Sequence, residues 1–202
     1  MHDPLPQTFY LRPTVEVARD LLGALLVRTL PGGETLSGLI AETEAYVTDD
    51  PASHAYRGRT PRNGVMWGPA GHAYVYRSYG IHEMLNFVTE REGVAEAVLI
   101  RAIEPVAGIE TMRKARGGIM SRFELTNGPG KLAQALEITR INFNGIDITS
   151  PHSALAVYER GTAPDIEVTT RVGITKGVEL PYRFLISGSA YVSRGRPSVA
   201  PA

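Results

Sequence analysis

The chain has 202 residues and a mass of 21.9 kDa, with 43% hydrophobic and 21% charged residues; it can bury a core unaided and is too apolar to be disordered. It has no cysteine, which excludes disulfides, thiol nucleophiles, cysteine-ligated zinc and iron–sulfur clusters. Lys plus Arg and Asp plus Glu each total 21, so it lacks the global basic excess of many nucleic-acid binders, and no apolar run approaches the roughly 20 residues of a membrane span.

Met1 to Gln7 carry His2, Asp3 and two prolines, the pattern of neither a signal peptide nor a transit peptide; a soluble intracellular protein is expected. Pro13 and Thr14 open a helical stretch whose apolar face is Val15, Ala18, Leu21 and Leu22, with Gly23 as its stop. Ala24 to Leu30 reads as a strand, Pro31-Gly32-Gly33 as a turn and Thr35 to Tyr46 as the return strand. Val47 to Gly71 is long and irregular, yet it holds Tyr56, Met66 and Trp67 and is expected to be ordered and functional.

Strands are predicted over Ala73 to Tyr79, Met84 to Thr89 and Ala95 to Ile103, then a helix from Pro105 to Arg116 stopped by Gly117-Gly118. Asn127-Gly128-Pro129-Gly130 leads into a short helix, Lys131 to Leu136. Short strands follow at Ile146 to Ile148, Leu155 to Tyr158, Glu167 to Ile174 and Arg183 to Ser187, and Pro197 to Ala202 reads as a frayed tail. Hairpins mixed with a few helices give the α+β class. There is no repeat and no linker, so one domain is expected over 1–202, with its core at about 8–194.

Charge is uneven along the chain. Pro51 to His82 holds Arg57, Arg59, Arg62 and Arg77 and no acid. Thr111 to Phe123 holds Arg113, Lys114, Arg116 and Arg122 and no acid. A neutral protein can present a basic face, because acids farther than about 10 Å are screened; plain solvation of these arginines is the competing reading.

Glu42 and Glu44, two apart on a strand, point to one face. Either the strand exits into solvent there, or a partly buried carboxylate serves as a general base. Tyr74 and Tyr76 share a face, while Tyr79 has the opposite parity and precedes Gly80 at a turn; cross-strand packing and base stacking are both open. The five histidines include no HExxH spacing, and though His72 and His82 could meet across a hairpin, nothing completes a tetrahedral metal set. Gly128 to Lys131 does not match a P-loop, and there is no GxSxG elbow.

Taken together, Ala24-Leu25-Leu26-Val27-Arg28, Glu42-Thr43-Glu44-Ala45-Tyr46, His54, Thr60-Pro61-Arg62-Asn63, Tyr74-Val75-Tyr76, Tyr79-Gly80, Asn86, Leu99 to Pro105, Glu110 to Arg113 and Gly128 to Leu132 make the chain resemble the alkyladenine (3-methyladenine) DNA glycosylase family. The resemblance runs from about Tyr10 to Arg194. It implies a single α+β domain with a curved antiparallel sheet flanked by a few helices. It also implies Glu44 as the general base, Arg101 positioning the attacking water, and Asn86 lining the base pocket. Tyr46, His54 and Tyr76 would hold a flipped base, and Tyr79 would fill the gap left in the duplex. Arg57, Arg59, Arg113, Arg122 and Lys131 are candidates for DNA-backbone contacts.

The implied partner is double-stranded DNA carrying damaged purines: 3-methyladenine, 7-methylguanine, hypoxanthine or ethenoadenine. No cofactor, metal or membrane is expected, and a monomer is. The compartment would be the cytoplasm of a bacterium, or the nucleus of a eukaryote. No lysine stands at the pocket positions named, so hydrolysis without a Schiff-base lyase step is expected. Ile81 departs from the family's methionine after the Tyr-Gly pair. Two other readings are a damage-binding protein without turnover and a carbohydrate hydrolase using Glu42 with Glu44.

Overall fold

The computed structural model describes residues 3–198. A short helix α1, Gln7–Tyr10, precedes α2, Thr14–Asp20, which follows Pro13 as the sequence indicates. Strands β1, Leu25–Thr29, and β2, Thr35–Tyr46, form an antiparallel hairpin in register from Leu25↔Leu39 to Thr29↔Thr35. Strand β2 is buried along nearly its whole length, because α2 lies on it: the Thr43 hydroxyl donates to the Ala18 carbonyl at 2.7 Å.

Next come β3, Ala73–Ser78, β4, His82–Thr89, and β5, Glu96–Ala107. Helices α3, Ile109–Ala115, α4, Pro129–Ala135, and α5, Arg140–Phe143, precede β6, Leu155–Tyr158, β7, Ile166–Thr169, and β8, Arg183–Ile186. One curled antiparallel sheet runs β3-β4-β5-β2-β1-β6, and with its five helices this single domain is of the α+β class. β2 changes partner along one edge: residues 35–39 pair with β1, and Glu42, Thr43 and Glu44 pair with β8. Its other edge carries β5, with register shifts on both sides of Glu42. These bulges interrupt simple two-residue alternation just where the acids stand.

Several predicted boundaries move. The helix expected from Pro105 begins at Ile109, and Pro105 belongs to β5 opposite Gly38. A proline is tolerated there because β4 pairs only with Glu96 to Leu99, so one edge of β5 needs no ladder donor at Pro105. Gly108 turns the chain at φ +72°, with Leu36 and the Thr35 carbonyl against it. Helix α4 starts at Pro129 rather than Lys131, the proline sitting where an amide would have no partner. Ile146 to Ile148 forms no strand, only a bridge from Asp147 to His72.

The strand expected over Glu167 to Ile174 stops at Thr169. Of the tail, Pro197 bridges Val172 and the Ser198 amide donates to Arg171; the rest lies outside the described residues. His72 and His82 sit at opposite ends of the β3–β4 hairpin and do not meet.

The main core joins α2, the sheet and α4 through Tyr10, Leu26, Leu36, Ile40, Phe87, Ile100, Leu132 and Phe184. A smaller cluster of Ala55, Met66, Tyr74, Val88, Ala95 and Ala97, with Trp67 and Tyr76 against it, anchors the irregular stretch 47–71. Asn63 ties that stretch internally, donating to the His54 and Gly58 carbonyls. Among the described residues no helix is long and apolar enough to cross a membrane.

Candidate active site

The acids predicted at the end of β2 are fully buried, and an arginine from β5 stands between them. Arg101 Nε donates to Glu42 Oε1 at 2.8 Å, and its Nη1 lies 3.2 Å from Glu44 Oε2. The strand therefore does not exit into solvent. Burial alone would lower the Arg101 pKa, but Glu44 and Glu42 outweigh it and hold the pKa above its ordinary value.

The two carboxylates differ in surroundings. Glu42 also accepts from Arg183 Nε at 2.7 Å, from the Ser193 amide at 2.5 Å and from the Ser193 hydroxyl at 2.8 Å. Glu44 accepts from the Tyr46 hydroxyl at 2.9 Å and from the Val172 amide at 2.8 Å. Tyr46, Arg101 and Val172 all line a cavity of about 530 Å³, so Glu44 lies one hydrogen bond behind its wall. Among the described residues no carboxylate lines that cavity, whereas Arg62, Arg101 and Lys176 do.

Further aromatic rings line the cavity. The rings of Tyr74 and Tyr76 stack at 5.5 Å, and His54 meets Tyr76 edge-on at 4.4 Å. His54 Nδ1 and the Tyr74 hydroxyl are 3.0 Å apart. Partial burial lowers the His54 pKa, and the Arg62 charge adds to this. Burial raises Tyr46 well above its usual value, with Glu44 and Tyr76 adding to the shift, while Tyr76 is pushed up to about 12 by burial and by Glu44. Both phenols therefore remain protonated donors at neutral pH. Asn86, buried on β4 opposite Tyr74, donates to the Tyr74 and Met84 carbonyls and also lines the cavity.

Tyr79 sits at the tip of the β3–β4 hairpin with 90% of its surface exposed. It adopts φ +50° beside Gly80 at +74°, a conformation uncommon for an aromatic residue. It belongs to the cavity rim, and Ile81 beside it is also exposed. The structure thus brings together Glu44, Arg101, Tyr46, His54, Tyr76, Asn86 and Tyr79.

The candidate phosphate-contact residues divide. Arg57 and Arg59 are exposed on the irregular segment. Arg113 is engaged by Glu110 and by the Met120 carbonyl; the acid-free stretch begins one residue after that glutamate. Arg122 donates to the Pro105 carbonyl at 2.6 Å and Lys131 to Asn127 at 2.8 Å. One expectation is corrected: Lys176, on the loop after β7, does line the cavity. Strand parity could not reach it, because that loop is joined to β2 only in space.

Sequence reasoning also missed what supports the site. Arg171 is fully buried and paired with Asp50, to which Nη2 donates at 2.9 Å. Its guanidinium lies 4.7 Å from the Tyr46 ring centre and also donates to the Ala45 and Gly177 carbonyls. It thereby joins the end of β2, the segment around Asp50 and the loop that carries Val172 and Lys176. Among the described residues no three His, Asp or Glu side chains gather as a metal-ligating group.

Comparison with known proteins gives this arrangement a family context. The family model described as methylpurine-DNA glycosylase matches residues 8–190. A relative from Methanoculleus marisnigri, provisionally named a 3-methyladenine DNA glycosylase, is 52% identical over 195 residues, covering 94% of this chain and 98% of its own. Relatives with the same provisional name from Carboxydothermus hydrogenoformans and Rhodopseudomonas palustris are 51% and 50% identical, each over 94% of this chain and over 98% and 90% of their own.

Proposed function

Because the chain belongs to the methylpurine-DNA glycosylase family, we propose that it takes alkylated or deaminated purines out of duplex DNA and hydrolyses their N-glycosidic bond. The substrate set is 3-methyladenine, 7-methylguanine, hypoxanthine and ethenoadenine. The observation that carries this reading is the tyrosine-walled cavity backed by Glu44, whose carboxylate is bonded to three residues of the cavity wall.

An enzyme acting on a base must first take it out of the stack, at a cost of a few kcal/mol. In this reading Tyr79 enters the space the nucleotide vacates, and the flipped purine lies between Tyr46 and the Tyr76–His54 wall. Water attacks C1′ of the sugar, the glycosidic bond breaks with its electron pair going to the departing base, and the water proton passes to Glu44. The same carboxylate stabilises the positive charge that develops on the sugar. Arg101 holds Glu44 in place and faces the cavity. The products are a free base and an abasic site.

With Lys176 on the wall, hydrolysis without strand cleavage no longer rests on the absence of an amine. It rests on the placement of the carboxylate. The deciding experiment is single-turnover release of hypoxanthine or ethenoadenine from a labelled duplex by wild type and Glu44→Gln. Release by wild type alone supports both the activity and the base. Release by both variants moves the role off Glu44. Tight lesion binding without release by wild type, tested also with 3-methyladenine, would mean a damage-binding protein.

A further inference from the structure

A second cavity, of about 670 Å³, shares no lining residue with the first. It lies at the β1–β6 edge of the sheet and is lined by Arg28 of β1, by Asn142 and Phe143 of α5, and by Ser150, His152 and Ser153, among others.

Among the described residues four arginines are buried: Arg28, Arg101, Arg171 and Arg183. The last three each face a carboxylate within 3.2 Å. Arg28 alone of the four has no ion pair among the described residues, although only 7% of its surface is exposed. Its Nη1 donates to the Thr29 carbonyl, its Nε is buried without an acceptor, and its Nη2 makes no hydrogen bond among the described residues. The guanidinium rests on the Phe143 ring at 4.6 Å. Glu137 acts on it only at a distance, and burial dominates, lowering its pKa.

An uncompensated buried charge costs several kcal/mol. The bonds Arg28 leaves unmade are those of Nε and Nη2; Nε is enclosed, whereas Nη2 keeps accessible surface and is the charged donor that a carboxylate or phosphate in the cavity would meet. The rest of the wall supplies further donors. The Ser150 and Ser153 hydroxyl oxygens accept backbone amides, which leaves their own protons to donate, and the Asn142 side chain makes no hydrogen bond among the described residues. Asp147 shares the wall, but its Oδ1 is turned to the Thr149 amide and hydroxyl. Several hydroxyl and amide donors around one arginine suit a tetrahedral anion better than a planar one.

We propose that the cavity beneath Arg28, Ser150 and Ser153 is a phosphate-binding site separate from the catalytic pocket. The phosphate could be supplied by a small free anion or by the DNA backbone, and the test distinguishes these.

The full chain is titrated with inorganic phosphate at constant ionic strength, against chloride, by calorimetry and by thermal unfolding. Wild type should bind and show a raised Tm. Arg28→Gln should bind about 10- to 100-fold more weakly, as expected for losing a charge-assisted hydrogen bond. Because Arg28→Gln removes a buried group, the double variant Ser150→Ala/Ser153→Ala, at half-buried positions, serves beside it and should also weaken binding. A lesion-free duplex is then added. If it displaces phosphate from wild type and binds Arg28→Gln more weakly, the site takes a backbone phosphate. If it binds all variants alike and leaves phosphate bound, the site takes a free anion. No phosphate-specific response in wild type, or equal responses in all three proteins, would overturn the proposal.

Discussion

Glu42 and Glu44 stand two residues apart, and their removal should fail in opposite ways. Glu42 has no exposed surface and accepts hydrogen bonds from Arg101, Arg183 and both the amide and the hydroxyl of Ser193. Glu42→Ala leaves Arg183 without its ion-pair partner and leaves Arg101 with Glu44 alone. Breaking a buried pair by removing one member costs about 3–5 kcal/mol, a large share of a typical total of about 5–15 kcal/mol. At about 2–4 °C per kcal/mol for a chain of this size, Tm should fall by roughly 6–20 °C.

Glu44→Gln instead keeps one acceptor oxygen, enough for either the Tyr46 hydroxyl or the Val172 amide but not both, and it leaves Arg101 paired with Glu42. Its stability loss should be smaller, about 1–3 kcal/mol. Its single-turnover excision rate should fall by about 10²–10⁴-fold, the usual contribution of a positioned general base. Thermal unfolding and single-turnover excision on the same preparations read both effects. A Glu42→Ala protein as stable as wild type, or a Glu44→Gln protein that releases base at the wild-type rate, would refute the division of labour.

Tyr79→Ala removes a side chain that touches little, so stability should stay within about 0.5 kcal/mol while lesion affinity falls about 10- to 100-fold, for a stacking interaction of about 1–3 kcal/mol; unchanged affinity in an equilibrium binding assay would end the wedge role. The His54 ring, followed by NMR, should titrate below the ordinary histidine value of about 6.5. The unfolded chain then takes up that proton first, so His54 opposes folding as pH falls from the ordinary value towards the lowered one. Arg62→Ala should raise the midpoint only part of the way, since burial is the larger cause. Replacing Arg57 or Arg59 should reduce the salt slope of DNA binding by about 0.9 for each phosphate no longer neutralised, and replacing Arg113, already held by Glu110 and Met120, should change it less; equal slopes in all three would discard this ranking. Borohydride added during turnover should trap no protein–DNA adduct, and an adduct that disappears in Lys176→Ala would show that this amine attacks the abasic sugar.

The sequence disclosed most where signals are local. The β1–β2 hairpin, the β3–β4 hairpin with its Tyr79-Gly80 tip and the acidic end of β2 follow from alternation and turn chemistry. Helices α1 and α5 have four residues each, too few to establish a 3.6-residue period. Pro105 reads as a helix start because nothing local says that one edge of β5 is unpaired there. The partners of the acids were out of reach for another reason: Ser193 and Arg183 meet Glu42 across 151 and 141 residues, and Arg171 meets Asp50 across 121. Such pairings have no period and no motif, and only the folded chain creates them.

Those long-range pairs also explain why the site is built at this place in the sheet. If Glu44 acts on water as proposed, its carboxylate must be held still without being used up by its supports. Here the strain of burying charge is carried by Glu42, Asp50 and their arginines, none of which needs to change protonation. Glu44 is left with three donors, the Tyr46 hydroxyl, the Val172 amide and Arg101, and all three residues belong to the cavity wall itself. β2 can deliver both acids only because it exchanges β1 for β8 at Glu42 and is bulged on its β5 edge at the same point. A regular strand would have placed an ordinary ladder there, with no reason to bring Arg101 between the two carboxylates. The irregularity in β2 is thus the structural cause of the Glu42–Arg101–Glu44 arrangement, and straightening it should cost the site before it costs the fold.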